Sequence, residues 1–233
     1  RRIIEPAGVE ASDGDGESGA TEFLVRESRR PVLDYYKNTC VAHFMPAAFA
    51  ALAILERDAF QFSAADLQTD FEFLQELMRL EFVQDSDTEP PEQLRRALRI
   101  FYENATLVPH PSLPDTYNLT SAGFRTLKLF AMFLKTFLES YWVVLAWLNS
   151  EQAPDEPRER LKKIAAFGNR MYRQKEIDHR EALSKVTYEN ALELFLAHGI
   201  RGAEDRNSID AFAAVIRRAL RCLASPPGRP LNP

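Results

Sequence analysis

Glycine is scarce in this chain, nine in 233 residues, and no glycine-rich loop of the kind that cradles a phosphate occurs in it. The two cysteines, Cys40 and Cys222, are far apart and each lies inside an apolar helical pattern. They read as small buried hydrophobes of a reducing compartment, and they exclude a disulfide framework. Four histidines, His43, His110, His179 and His198, are too scattered to give metal-ligand spacing. No metal and no cofactor is therefore expected. Concentrated positive charge is also missing: the net charge is -5 with both signs interspersed. That excludes the electrostatic footprint of a nucleic-acid binder, because phosphate contacts need clustered Lys and Arg. Period-2 alternation is rare, so extensive sheet is excluded too.

What is abundant is apolar residues at helical spacing, 45% of the chain. The richest stretch is residues 121–149, SAGFRTLKLFAMFLKTFLESYWVVLAWLN. Phe124, Leu127, Ala131, Leu134, Leu138, Tyr141, Leu145 and Leu148 form one stripe. Phe130, Phe133, Phe137, Trp142 and Trp147 widen it almost around the cylinder. The polar strip is reduced to Arg125, Lys128, Lys135 and Glu139. A single helix this apolar must be covered on most sides by other helices, or partly by a membrane surface.

Four segments are expected. Residues 1–30 hold two β-prone pieces around ASDGDGESGA, a tract too polar to order itself, and read as the tip of a hairpin that ends an upstream element. With no initiating methionine and no signal-peptide pattern, the chain reads as a C-terminal fragment. Residues 31–150 are a helical core. It opens with an apolar helix free of formal charge from Asn38 to Leu55, in which Pro46 should produce a kink or a new start. Those eighteen residues fall short of the ~20 that span a bilayer, so a buried or interfacial helix is expected. Helices follow over 64–83, with Ser63 as N-cap, and 92–105, then a small hairpin made by Leu107–Val108 and Tyr117–Leu119. Helix, helix, hairpin, helix is a winged-helix-like order. Residues 151–224 form a C-terminal helical portion. It has Thr187 as one N-cap, Gly199 as a stop and Asn207 or Ser208 capping the last helix, and residues 225–233 are a frayed tail. The fold class is mainly α, a multi-helix bundle with one or two small β-hairpins.

The chemical candidates are few. His110 and Asp115, in HPSLPD, have the H-x-x-x-x-D spacing in which an imidazole could act as general base toward a hydroxyl and an aspartate orient it. Two prolines lock that segment into a turn, with no phosphate-binding motif close behind, so it is not assigned a catalytic role. His43 reads as a core histidine, His179 as solvated, and His198 as a cation complementing a helix end. Arg95, Arg96 and Arg99, and likewise Arg217, Arg218 and Arg221, read as solvated helix faces, with a contact to lipid phosphate or another domain as the alternative. No catalytic, substrate-binding or metal residue is assigned.

Several stretches resemble the C-terminal part of the bacterial membrane-bound glycerol-3-phosphate acyltransferases. RPVLDYYKNTCVAHFMPAAFAALA, residues 30–53, is similar to that family's helix with a tyrosine pair, a basic residue, asparagine and histidine, followed by proline and small apolar residues. YNLTSAGFRTLKLFAMFL (117–134), residues 141–148 and REALSKVTYENALELFLAHGI (180–200) resemble later segments in the same order. The resemblance implies acyl transfer from acyl-CoA or acyl-carrier protein to the first hydroxyl of glycerol 3-phosphate, the first step of phospholipid synthesis. It also implies that the catalytic motifs lie in an upstream acyltransferase domain, so no catalytic residue maps onto this chain. The implied partners are that upstream domain, the acyl donor and a membrane surface, with no nucleic acid. The implied location is peripheral, on the cytoplasmic face of the bacterial inner membrane. On this reading the chain supports the catalytic domain and is inactive alone. The alternative is a soluble winged-helix-like module for protein interaction or nucleic-acid binding.

Overall fold

A computed structural model describes residues 4–6, 23–25, 30–82, 87–150 and 156–224, with side chains from residue 43 onward. The chain divides into two compact units, Arg1–His43 and Phe44–Pro233. In the first, β1 (Ile4–Pro6) pairs antiparallel with β2 (Phe23–Val25), Ile4 opposite Val25. The two β-prone pieces thus pair with each other. The polar tract between them and the expected frayed tail lie outside the described residues.

Helix α1 (Arg30–Glu56) runs from the first unit into the second and continues through Pro46. Of the kink or new start expected at that proline, the new start does not occur. Proline forfeits one backbone donor, and a run from Ala47 to Leu55 that is buried throughout holds the helix across the gap. In the second unit, β3 (Gln61–Ser63), α2 (Ala64–Leu77), α3 (Pro90–Glu103), β4 (Leu107–Pro109) and β5 (Thr116–Leu119) follow in order. The three strands form one antiparallel sheet in the order β3-β5-β4. Strand β3 was not apparent in the sequence; at three residues, QFS, it is too short to show a period. Ser63 caps α2 in a reciprocal box with Asp66, whose carboxylate accepts the Ser63 N–H at 2.8 Å. Thr120 Oγ1 accepts the Gly123 N–H at 2.8 Å and starts the next helix.

Residues 121–149 are not one helix. They form α4 (Ser121–Met132) and α5 (Lys135–Ser150), bent by 53°. At the break Phe133 and Leu134 donate to the carbonyls three residues back, Phe130 at 3.2 Å and Ala131 at 3.0 Å, a tightened turn without glycine or proline. A side-chain belt that wraps all round a cylinder cannot be covered by neighbours on one side. Bending lets α5 pack among α6 (Pro157–Arg173), α7 (Lys185–Ala197) and α8 (Arg206–Ala224). Leu138, Tyr141, Val144, Leu145, Trp147 and Leu148 are completely buried there. Each such side chain contributes about 1.5–3 kcal/mol on leaving water.

The cap of α7 is Ser184, one turn before the expected Thr187, whose N–H it accepts at 3.3 Å. α8 starts at Arg206, ahead of Asn207 and Ser208. Its fully buried face is Ile209, Ala213, Ile216, Ala219 and Leu223, with Phe212 and Leu220 half-buried beside it. Three helices, α3, α6 and α7, end in the same way. The residue after the cap adopts a left-handed backbone, and the next N–H reaches a carbonyl five residues back, closing at 2.9 Å in each case. Gly199 holds that position after α7, but Ala105 (φ 54) holds it after α3 and Lys175 (φ 59) after α6.

Candidate functional site

The HPSLPD turn joins β4 to β5, and its histidine is occupied by the turn itself. His110 Nδ1 accepts the N–H groups of Ser112 and Leu113, both at 3.2 Å. Its own N–H donates to the Thr116 carbonyl at 2.8 Å. Asp115 has a left-handed backbone (φ 49), and its carbonyl accepts the Ala64 N–H at 3.0 Å. The segment is a structural corner between sheet and α2.

The most developed polar constellation lies along α5. Glu139 is buried to 2% exposure within an apolar helix, and such a carboxylate needs full pairing. It accepts the Asp178 N–H at 3.2 Å, the His179 N–H at 3.0 Å, and His179 Nδ1 at 3.1 Å. Lys135, one turn earlier, lies 3.9 Å from Glu139 and donates to Asp178 at 2.5 Å. That hydrogen bond holds the Asp178 carboxyl below its usual range. His179 is therefore half-buried and fastened, not solvated as its charged neighbours EIDHRE suggested. Nearby, Ser140 Oγ donates to the Ala182 carbonyl at 2.7 Å. All these bonds go to the connection between α6 and α7. The group clamps that loop onto α5 and leaves Glu139 no free face for a substrate.

Other buried polar groups are less fully paired. Glu81, after α2, has its carboxyl pushed up by burial. Tyr141 is pushed up by burial first and by Glu81 second, although neither Glu81 Oε1 nor the Tyr141 hydroxyl reaches a partner at hydrogen-bond distance. Glu56, at the end of α1, meets Arg218 of α8 at 2.8 Å, and Arg218 also meets Asp70 of α2 at 3.3 Å. Arg218 is exposed, as expected of a solvated face, and it also joins three helices; no local pattern marks Glu56 as its partner. Arg217 is exposed too, its guanidinium 4.4 Å from the Trp142 ring centroid. Arg95 and Arg96 share Glu92 at 3.9 and 3.3 Å, and Arg99 is exposed. His43 is exposed rather than buried in a core. His198 caps α7 and contacts Glu76 at 3.3 Å. Cys222 is a half-buried free thiol pushed up to about 11 by burial, which makes it unreactive. Cys40 lies among residues whose side chains are outside the described set. Among the described residues no group of three or more His, Cys, Asp or Glu could hold a metal ion.

Glu139, Glu81 and Glu56 were not singled out from the sequence for any such role. The one available signal was a lone acid in a helix with too little polar surface to expose it. No curated protein matches the chain. The profile of the glycerol-3-phosphate acyltransferase C-terminal region matches residues 7–204, most of the chain and a wider span than the resembling segments. That match, over more than half of a mainly helical chain, shows that it belongs to the glycerol-3-phosphate acyltransferase C-terminal region family.

Proposed function

We propose that this chain is the C-terminal helical region of a glycerol-3-phosphate 1-O-acyltransferase. It would support an upstream catalytic domain and help attach the enzyme peripherally to the cytoplasmic face of a bacterial inner membrane. The acyl donor is acyl-CoA or acyl-carrier protein, and the chain alone does not transfer acyl groups. The observation that carries this reading is the family match over residues 7–204. Consistent with a supporting role, the best-made polar group, Lys135–Glu139–Asp178–His179, spends its hydrogen bonds on the protein's own backbone and side chains. The test is to express the chain with and without its acyltransferase domain and assay acyl transfer to glycerol 3-phosphate. Activity is expected only when both are present; activity from the chain alone, or full activity, stability and membrane recovery of the enzyme without it, would count against the proposal.

The sheet order β3-β5-β4 beside α2 and α3 favours a second reading, a winged-helix interaction module. Salt-dependent DNA binding would support its nucleic-acid form, which the net charge of -5 opposes.

A further inference from the structure

Leu129, on α4, is the most exposed large apolar side chain among the described residues, 72% accessible. One turn later, at the bend, Phe133 is 41% exposed and stacks on Phe44, itself 46% exposed, with ring centroids 6.3 Å apart and planes 19° apart. Arg125, one turn before Leu129, shares the outward face of α4 and is exposed. Helix α4 carries no Asp or Glu, and Arg125 is its exposed charge; Lys128 and Lys135 are buried, the first donating to the Cys222 carbonyl and the second to Asp178. α1 has no formal charge from His43 to Leu55. Among the described residues no single helix is long and apolar enough to cross a membrane; α4 and α5 pass only as a bent pair. Because α5 is enclosed by α6, α7 and α8, the outward face of α4 is the part left open.

We propose that this face, Arg125, Leu129, Phe133 and the stacked Phe44, is the patch that enters the interface of an anionic bilayer; the inference rests on the membrane-attached reading above. A lipid surface fits better than a second protein. Three partly exposed side chains cover at most a few hundred Å², well below the roughly 1,600 Å² of a stable protein interface. A bilayer takes up apolar side chains one by one, and its phosphates complement a lone arginine at the rim.

The test is sedimentation of the 233-residue chain with extruded vesicles of phosphatidylcholine, with or without phosphatidylglycerol. Binding is expected to be tighter with phosphatidylglycerol. Leu129→Asp should weaken it about tenfold, with an unchanged thermal midpoint because the side chain is exposed, and Leu129→Met should restore it. Arg125→Gln should weaken binding about fivefold on the anionic vesicles only. If the wild-type chain binds and Leu129→Asp binds equally well, the patch is overturned while membrane attachment by another surface stands. If the wild-type chain binds neither vesicle, both fall. A chain that self-associates in solution, and separates on Leu129→Asp, would assign the patch to a second copy instead.

Discussion

Glu139 shows how much one side chain can determine inside an apolar helix. Removing it by Glu139→Ala leaves Lys135 with Asp178 as its remaining acid and frees two backbone N–H groups of the α6–α7 loop. We expect a loss of about 3–5 kcal/mol in urea unfolding; an equal loss for Glu139→Gln would mean that charge is not what matters. Glu81 acts in the opposite sense. Burial raises its pKa above the ordinary 4.5, so the folded state binds a proton more tightly than the unfolded chain. The stability this supplies is complete below about 4.5 and is lost as pH rises through the raised value. Glu81→Gln should therefore flatten the fall in stability that begins as pH rises above about 4.5, and parallel pH profiles for the two proteins would refute the assignment. These roles were hard to read beforehand. Glu139 finds partners about forty residues downstream, and nothing local in ESYWVV or EIDHRE reveals that pairing. His110 could be judged, because its two prolines already marked a turn.

Among the elements, spacing identified α2, α3, β4, β5 and the outward limits of the long apolar stretch, since Leu127, Leu134, Leu138 and Tyr141 repeat at helical intervals and are all completely buried. The bend at Phe133 was not legible because neither glycine nor proline marks it; it follows from which neighbours must be reached. How α4 enters is equally constrained. A methyl group on Gly123 would collide with the Thr106 carbonyl, a backbone atom that has no rotamer to escape into. Gly123→Ala should lower stability by about 3 kcal/mol. By contrast Ser63→Ala, which removes only the α2 cap, should cost about 1 kcal/mol. A reversed order in thermal or urea unfolding would show that the α4–β4 approach is looser than described.

At the scale of the whole molecule, the C-terminal helices complete the core around α5. A chain stopped after Ser150 would expose Leu138, Val144, Leu145 and Leu148 to water, so it should lose cooperative unfolding and bind an apolar dye. Retention of a sharp transition would mean that residues 157–224 form a separable part. The left-handed positions that close α3 and α6 point the other way, toward headroom. Ala105 and Lys175 sit where a side chain costs about 1 kcal/mol, whereas Gly199 occupies the same geometry freely. Putting glycine at both should raise the melting temperature by independent increments. A chain poor in that amino acid is thus improvable by adding it at two turns, so its stability is set by the residues chosen there and not by a ceiling of the architecture.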